Sequence, residues 1–222
     1  MSRTYVFDAY GTLFDVHAAI AHHRAAAGHD AERCSEIWRA KQLEYTWTLT
    51  LAGRFLDFWT LTERALDYAL ARVPTVNRAL RPQLLDAYLR LKAFPDARAT
   101  LADLKARDTR LAILSNGTPH MLSHAVEAAG MIGLFDAVLS VDAIGAYKPR
   151  PEVYALVTDR FSVPAEEVVF VSSNRWDVMG AASFGFRSLW LNRAGLPDEY
   201  RDFAPLQEIT SLAALTHFRL EN

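Results

Sequence analysis

Short apolar runs recur along the chain, and each is followed by polar residues. In the second half, these runs alternate with segments whose apolar residues recur at helical spacing. Alternating strands and helices are typical of βαβ units, so the pattern predicts an α/β protein built on a parallel sheet. The predicted strands are 4–7, 111–114, 137–140, 168–171 and 188–191, and the predicted helices are 97–107, 119–129, 151–160 and 177–184.

Residues 16–92 show a different pattern and contain no convincing strand. Their apolar side chains recur at roughly helical spacing, with breaks at glycine and proline residues. This spacing predicts four or five helices packed as a bundle. We therefore expect residues 1–15 and 93–222 to form an α/β core domain, interrupted by a helical domain over residues 16–92.

Polar side chains stand at the ends of several predicted strands. Because open parallel sheets bind ligands at the carboxyl ends of their strands, these positions are expected to meet at one edge. The sets are residues 8–12, residues 115–117, the loop that leads to Lys148, and residues 172–177.

Asp8 is the first candidate for chemistry, because it follows the first strand directly. A carboxylate in this place can serve as a nucleophile, a base or a metal ligand. Thr12 lies four residues further on and offers a hydroxyl. A lysine held near a carboxylate keeps it ionised, which is a role that Lys148 can fill, and Asp177 completes the set.

The composition narrows the class of protein. The chain has 222 residues, with 24 Lys and Arg, 26 Asp and Glu, and 51% hydrophobic residues. This mixture excludes intrinsic disorder, and the net charge of -2 argues against a nucleic-acid partner. Cys34 is the single cysteine, so no disulfide can form within the chain. With no apolar run of membrane-spanning or signal-peptide type, we expect no membrane partner and a reducing, cytoplasmic location.

Four motifs together carry a resemblance to a known superfamily. Residues 7–13, 114–117, 148–149 and 171–177 resemble the four motifs of the haloacid dehalogenase superfamily, and they occur in the same order. The helical insertion sits where that superfamily has its cap. The resemblance implies a Rossmann-like parallel-sheet core with an inserted helical cap domain, and it implies that Asp8 is the nucleophile.

Two positions argue against the magnesium-dependent phosphatases of this superfamily. Those enzymes resemble one another in a second Asp two residues after the nucleophile, where this chain has Tyr10. Their fourth motif has Gly-Asp where this chain has Ser172 and Ser173. Hydroxyl groups are poorer magnesium ligands than carboxylates, so we expect no metal. The resemblance also implies no other cofactor, because a carboxylate and water carry out the reaction.

The remaining pattern is similar to the L-2-haloacid dehalogenases. Residues 38–47, 53–59, 147–154 and 172–177 carry this similarity, whereas Arg175 replaces the small residue expected there. We expect Arg175 to alter access or electrostatics near the site. The similarity implies hydrolysis of a short L-2-haloalkanoic acid to a D-2-hydroxy acid and halide through a covalent ester on Asp8. It also implies a homodimer.

The resemblance also implies roles for individual residues. Lys148 would support the nucleophile, Arg39 and Asn116 would stabilise the departing halide, and Asp177 would activate the hydrolytic water. Thr12 and Ser115 would bind the substrate carboxylate, and Ser172 and Asn174 would hold the reacting groups by hydrogen bonds. The pocket would be formed by Tyr10, Leu43, Phe58, Tyr154 and Trp176.

Three other functions stay open at the level of sequence. A hydrolase that opens a strained carbon–nitrogen ring next to a carboxylate would use the same residues. A magnesium-dependent phosphatase is disfavoured by Tyr10 and Ser173. A binding module without catalysis is disfavoured because Asp8, Lys148 and Asp177 are all present.

Overall fold

A six-stranded parallel sheet forms the centre of the computed structural model, which describes residues 3–218. The strands follow the order β3-β2-β1-β4-β5-β6, and every neighbouring pair is parallel. The five predicted strands and the α/β Rossmann-like class are confirmed, and β6 is an addition. The strands are β1 Thr4–Phe7, β2 Arg110–Ser115, β3 Ala137–Ser140, β4 Val168–Ser172, β5 Arg187–Leu191 and β6 Gln207–Ile209.

The register of the three central strands brings their carboxyl ends together. Phe7 at the end of β1 pairs with Ile113 of β2 on one side and with Val171 of β4 on the other. The backbone N–H of Asp8 then donates to the Val171 carbonyl at 3.0 Å, so the pairing continues past the strand. The strand order reverses at β1, and such a switch point leaves a crevice at the carboxyl edge.

The helices agree closely with the sequence pattern. Five of them lie between β1 and the next predicted helix, as the pattern of residues 16–92 indicated. No helix among residues 3–218 is long and apolar enough to cross a membrane. The helices are α1 Ala18–Ala21, α2 Arg24–Ala27, α3 Ala31–Leu51, α4 Phe58–Arg72, α5 Arg81–Leu89, α6 Ala97–Lys105, α7 Pro119–Ala128, α8 Pro151–Phe161 and α9 Arg175–Phe184.

The long helix α3 packs against α4 through buried polar groups as well as apolar ones. The Trp38 indole N–H donates to the Thr62 carbonyl at 2.9 Å, and the Gln42 amide donates to the Thr62 hydroxyl at 2.9 Å. The Asp57 side chain begins α4 by accepting the Thr60 N–H at 3.0 Å, which satisfies a free donor of the first turn. These bonds hold α3 against α4, and Arg39, the residue after Trp38, contacts the carboxyl edge of the sheet.

Candidate active site

Three segments bring the charged residues of the site together at the carboxyl edge of the sheet. Asp8 follows β1, Lys148 lies in the loop before α8, and Asp177 lies in the first turn of α9. Helix α9 begins at Arg175, two residues before the predicted start. Asp177 is therefore the third residue of the helix rather than its first.

Lys148 lies between the two carboxylates. Its ammonium is 3.1 Å from Asp8 Oδ1 and 2.8 Å from Asp177 Oδ2. All three residues are buried, with exposed fractions of 1% for Lys148, 5% for Asp8 and 0% for Asp177. Charges removed from water need such partners, because a buried ion without one is very costly.

This arrangement perturbs the acid–base behaviour of the group. Burial raises the pKa of Asp177 to about 6, against the lowering effect of the Lys148 charge and with a smaller rise from Asp8. Burial lowers the pKa of Lys148, but the charges of Asp177 and Asp8 outweigh it and leave that pKa above the usual value for lysine. Lys148 therefore stays charged at neutral pH, and most of the Asp177 population is ionised.

The second oxygen of Asp8 is held by uncharged donors. Oδ2 accepts hydrogen bonds from the Asn174 amide at 2.8 Å, the Thr12 hydroxyl at 3.1 Å and the Ser172 hydroxyl at 3.4 Å. Thr12 also accepts the backbone N–H of Ser173 at 2.8 Å. The Thr12 hydroxyl is thus committed to Asp8 and to the turn after β4, rather than facing a substrate carboxylate as the sequence suggested.

A small cavity of about 10 Å³ opens beside Asp8. That is room for about one water molecule. Both the sheet edge and the helices of residues 16–92 contribute to its walls. Every lining residue belongs to the site predicted from the sequence: Asp8, Tyr10, Arg39, Leu43, Phe58, Ser115, Asn116, Asn174 and Trp176.

Arg39 links α3 to the sheet edge. Its guanidinium donates to the Asn174 side-chain oxygen at 3.3 Å and to the Tyr10 carbonyl at 3.4 Å. Asn116 lies on the opposite strand end, where its side-chain oxygen accepts the Lys148 backbone N–H at 3.2 Å. The cavity therefore has the Arg39 cation on one wall and the Asn116 side-chain amide on another. The bond to Lys148 uses the oxygen of that amide and not its N–H₂ group.

Tyr154 does not line the cavity, although the sequence placed it in the pocket. Its hydroxyl donates to Asp177 Oδ1 at 2.8 Å, from the side of Asp177 that faces away from the cavity. Its ring lies among Phe170, Phe184 and Phe186. Helix α8 packs against α9, so Tyr154 meets the far side of Asp177 and positions that carboxylate.

Tyr10 and Ser173 occupy the positions where a magnesium phosphatase has acids. The Tyr10 ring stacks on Tyr88 with centroids 5.7 Å apart, and burial raises the pKa of its hydroxyl well above the usual value. The Ser173 hydroxyl accepts a bond from Thr12 at 3.2 Å. Within residues 3–218, no group of three or more His, Cys, Asp or Glu side chains is arranged to hold a metal ion. The donor set does not suit magnesium, which prefers carboxylates.

Two contacts of the site were not foreseen from the sequence. Tyr88 of α5 stacks on Tyr10, and Trp47 of α3 packs edge-on against Trp176 with centroids 5.4 Å apart. Both residues lie within helices, where an aromatic side chain indicates packing and nothing more specific. The spacing along these helices carried no signal that would have assigned them to the site.

Arg175 points away from the cavity, contrary to expectation. Its guanidinium pairs with Asp198 at 2.7 Å and donates to the carbonyls of Tyr200 and Phe203 at 2.6 and 2.9 Å. The side chain is buried, and its charge is compensated by that carboxylate. Arg175 therefore fastens the loop after β5 and does not contact Asp8.

Comparison with known proteins gives a consistent result. Residues 3–185 match the family model of haloacid dehalogenase-like hydrolases. The chain is 48% identical to (S)-2-haloacid dehalogenase 1 of Pseudomonas sp. (strain CBS-3), over 98% of this chain and 96% of that protein. A dehalogenase crystal structure matches with a TM-score of 0.95 at 43% identity, over 100% of this chain and 98% of that one.

A second solved structure is that of a relative with a covalently bound ligand. It is the L-2-haloacid dehalogenase from Xanthobacter autotrophicus with chloropropionic acid covalently bound. It matches with a TM-score of 0.86 at 38% identity, over 98% of both chains. With a family model that covers most of the chain and relatives of this similarity, the chain belongs to the haloacid dehalogenase-like hydrolase family.

Proposed function

We propose that this protein hydrolyses short L-2-haloalkanoic acids to D-2-hydroxy acids and halide. The observation that carries the proposal is a buried Asp8–Lys148–Asp177 cluster beside a cavity that also contains Arg39 and Asn116. Relatives named (S)-2-haloacid dehalogenase, and one with chloropropionic acid covalently bound, support the same reaction.

In the first step, an Asp8 oxygen attacks the α-carbon from the side opposite the halogen. The carbon–halogen bond breaks, the halide leaves with its electron pair, and an ester forms between Asp8 and the inverted carbon. The donors around Asp8 hold the carboxylate in one orientation, which removes part of the entropic cost of the attack. Arg39 and the Asn116 amide face the cavity and would stabilise the negative charge that develops on the halide.

In the second step, water attacks the carbonyl carbon of the Asp8 ester. Asp177 takes the proton from that water, and Lys148 offsets the negative charge that develops on the Asp8 carbonyl oxygen. When the bond between the acyl carbon and the ester oxygen breaks, the departing oxygen takes the proton held by Asp177 and the 2-hydroxy acid is released. The acid formed at Asp8 then loses its remaining proton to solvent, which restores the carboxylate. Splitting the reaction into two steps replaces one difficult displacement by water with two easier ones.

We propose that the helices of residues 16–92 form a cap domain over a core domain of residues 1–15 and 93–222. The cavity has room for about one water molecule, so a haloacid enters only when side chains or cap helices move aside. Arg39, Leu43 and Phe58 come from this segment and line the cavity.

The proposal extends to the oligomeric state and the cellular compartment of the enzyme. We propose a homodimer, because half-buried aromatic residues on the cap helices offer a surface that a second copy would cover. We also propose a reducing, cytoplasmic location, because the single cysteine of the chain can form no disulfide within it. The buried thiol of Cys34, whose pKa burial raises to about 11, would stay reduced and unreactive there.

Two alternative activities use the same fold. A hydrolase of a strained carbon–nitrogen ring would need the same attack by Asp8, but the relatives named above are dehalogenases. Phosphate-ester hydrolysis would need acids at positions 10 and 173, where the Tyr10 ring stacks on Tyr88 and the Ser173 hydroxyl bonds to Thr12.

The test is halide release from L- and D-2-chloropropionate in the presence of EDTA. We expect release from the L-enantiomer, because backside attack by Asp8 requires a defined arrangement at the α-carbon. The product is expected to be D-lactate, as identified by chiral chromatography. If neither enantiomer yields halide and a phosphate ester is hydrolysed only with magnesium, the proposal is wrong.

A further inference from the structure

A groove of about 380 Å³ lies beside the active-site cavity. It opens where the end of α3 meets the loop before α8, the start of α9 and the loop after β5. We call it the α3–α9 groove. Its apolar walls include Trp47, Leu51, Pro149, Trp176, Met179 and Tyr200.

The groove presents apolar surface and no spare cation to a ligand. Two cationic residues lie in its lining, and both have carboxylate partners. The Lys148 ammonium is held by Asp8 and Asp177, and the Arg150 guanidinium makes two bonds to Glu152, at 2.6 and 3.1 Å. A substrate carboxylate would therefore find no free positive charge in the groove. An alkyl chain would bind favourably there, because its apolar surface would be removed from water.

Trp176 forms a wall of both spaces. It lines the cavity beside Asp8 and also lines the α3–α9 groove. On the groove side, Trp47 packs edge-on against it, with the rings at 82°. Within residues 3–218, Trp176 is the one residue common to both linings, and Trp47 packs against it in the groove.

The other wall of the groove is fixed in place. Tyr200 belongs to the loop after β5, and its carbonyl accepts a bond from the buried Arg175 guanidinium at 2.6 Å. Asp198 of the same loop pairs with Arg175 at 2.7 Å. Because this side is anchored, the width of the groove depends on the residues that α3 supplies.

The volumes indicate what each space can hold. The cavity of about 10 Å³ leaves no room for a long substituent on the α-carbon. The groove of about 380 Å³ lies within the range of small-molecule pockets, roughly 300–1,000 Å³. Because both spaces are lined by Trp176, the groove is the adjacent space for such a substituent.

We propose that the α3–α9 groove receives the alkyl chain of longer L-2-haloacids when Trp176 turns aside, and that Trp47 is the residue that sets the accepted chain length. This inference rests on the proposed dehalogenase function and adds a specificity-determining residue to it. Removal of the Trp47 ring gives Trp176 space to turn. A larger residue at Leu51, which is 87% exposed at the groove, fills the space that the chain would occupy.

The experiment compares kcat/KM for L-2-bromohexanoate and L-2-bromopropionate, which share one leaving group and differ by three methylenes. In Trp47→Ala, we expect the hexanoate-to-propionate ratio to rise by about tenfold, since even one methylene in an apolar pocket changes specificity by such a factor. In Leu51→Trp, we expect the ratio to fall by about fivefold for the same reason. The exposed position of Leu51 makes this second variant safe for folding.

Trp59→Ala is the matched control. It removes an indole from α4, on the same helical segment, and Trp59 lines neither the cavity nor the groove. Its ratio should equal that of the wild type. If the wild type releases no bromide from either acid, the proposed function fails. If the wild type is active and either folded variant keeps a ratio within about twofold of it, the inference about the groove is wrong.

Discussion

Replacement of Lys148 by methionine removes the positive charge between two buried carboxylates. In the native protein the ammonium lies 3.1 Å from Asp8 and 2.8 Å from Asp177. Methionine has a similar length and no charge. Two negative charges would then share a site without a counterion, and proteins resolve this by binding a proton.

The magnitude follows from the burial of all three groups. Loss of one partner from a buried ion pair costs about 4 kcal/mol, because it leaves an uncompensated charge. Catalysis requires both carboxylates in their ionised state, and a cost of this size in that state lowers kcat about a thousandfold at pH 7. Without Lys148, the pKa of Asp177 rises above about 6, since burial and Asp8 both push it upwards. Activity should therefore recover in part as the pH is raised.

The assay is halide release from L-2-chloropropionate between pH 6 and pH 10, with folding checked by circular dichroism. Lys105→Met serves as the matched control, because Lys105 pairs with Asp136 at 2.6 Å near the surface. A partly exposed pair contributes at most about 1 kcal/mol to stability, and this one lies outside the site. If folded Lys148→Met keeps kcat within about tenfold of the wild type at pH 7, the role assigned to the buried charge is refuted.

Four further outcomes are expected. Asp8→Asn should abolish halide release, and full activity in that variant would exclude the covalent ester. In the wild type, kcat should fall below about pH 6, since a pKa of Asp177 near 6 leaves the base protonated in acid; a flat profile from pH 8 to pH 5 would contradict this. Tyr154→Phe removes a bond that favours the ionised Asp177, so the acid limb should move to higher pH, with about tenfold lower activity at pH 6. Trp38→Phe loses the indole bond to Thr62, and the free energy of unfolding measured with urea should fall by about 2 kcal/mol without a change in the pH profile.

The strands of the sheet were predictable because buried parallel strands produce continuous apolar runs. Strand β6 lacks that signal, since Gln207–Ile209 is three residues long and mostly exposed at the edge of the sheet. Its formation depends on pairing with β5, which no local pattern reports. The start of α9 was missed for a related reason, because Arg175 and Trp176 do not continue the apolar spacing of the helix.

The candidate site was largely predictable, since strand ends and motifs together identified every residue that lines the cavity. The direction of each side chain was harder to foresee. Tyr154 and Arg175 lie within or beside the motifs, yet one approaches Asp177 from behind and the other fastens a distant loop. These directions depend on how α8 and the loop after β5 pack against α9, which is a property of the folded molecule.

The charged cluster also makes activity a report on the completeness of the fold. Asp8 and Lys148 are separated by 140 positions in the sequence, and Asp8 and Asn174 by 166. Contacts of such long range form slowly, because a large loop must close before they contribute. A chain emerging from the ribosome therefore carries its nucleophile from the start but lacks its counterion and base until the last third has been made. Recovery of halide release during refolding would accordingly time the joining of β1 with the loop before α8 and the start of α9, rather than the formation of any single helix.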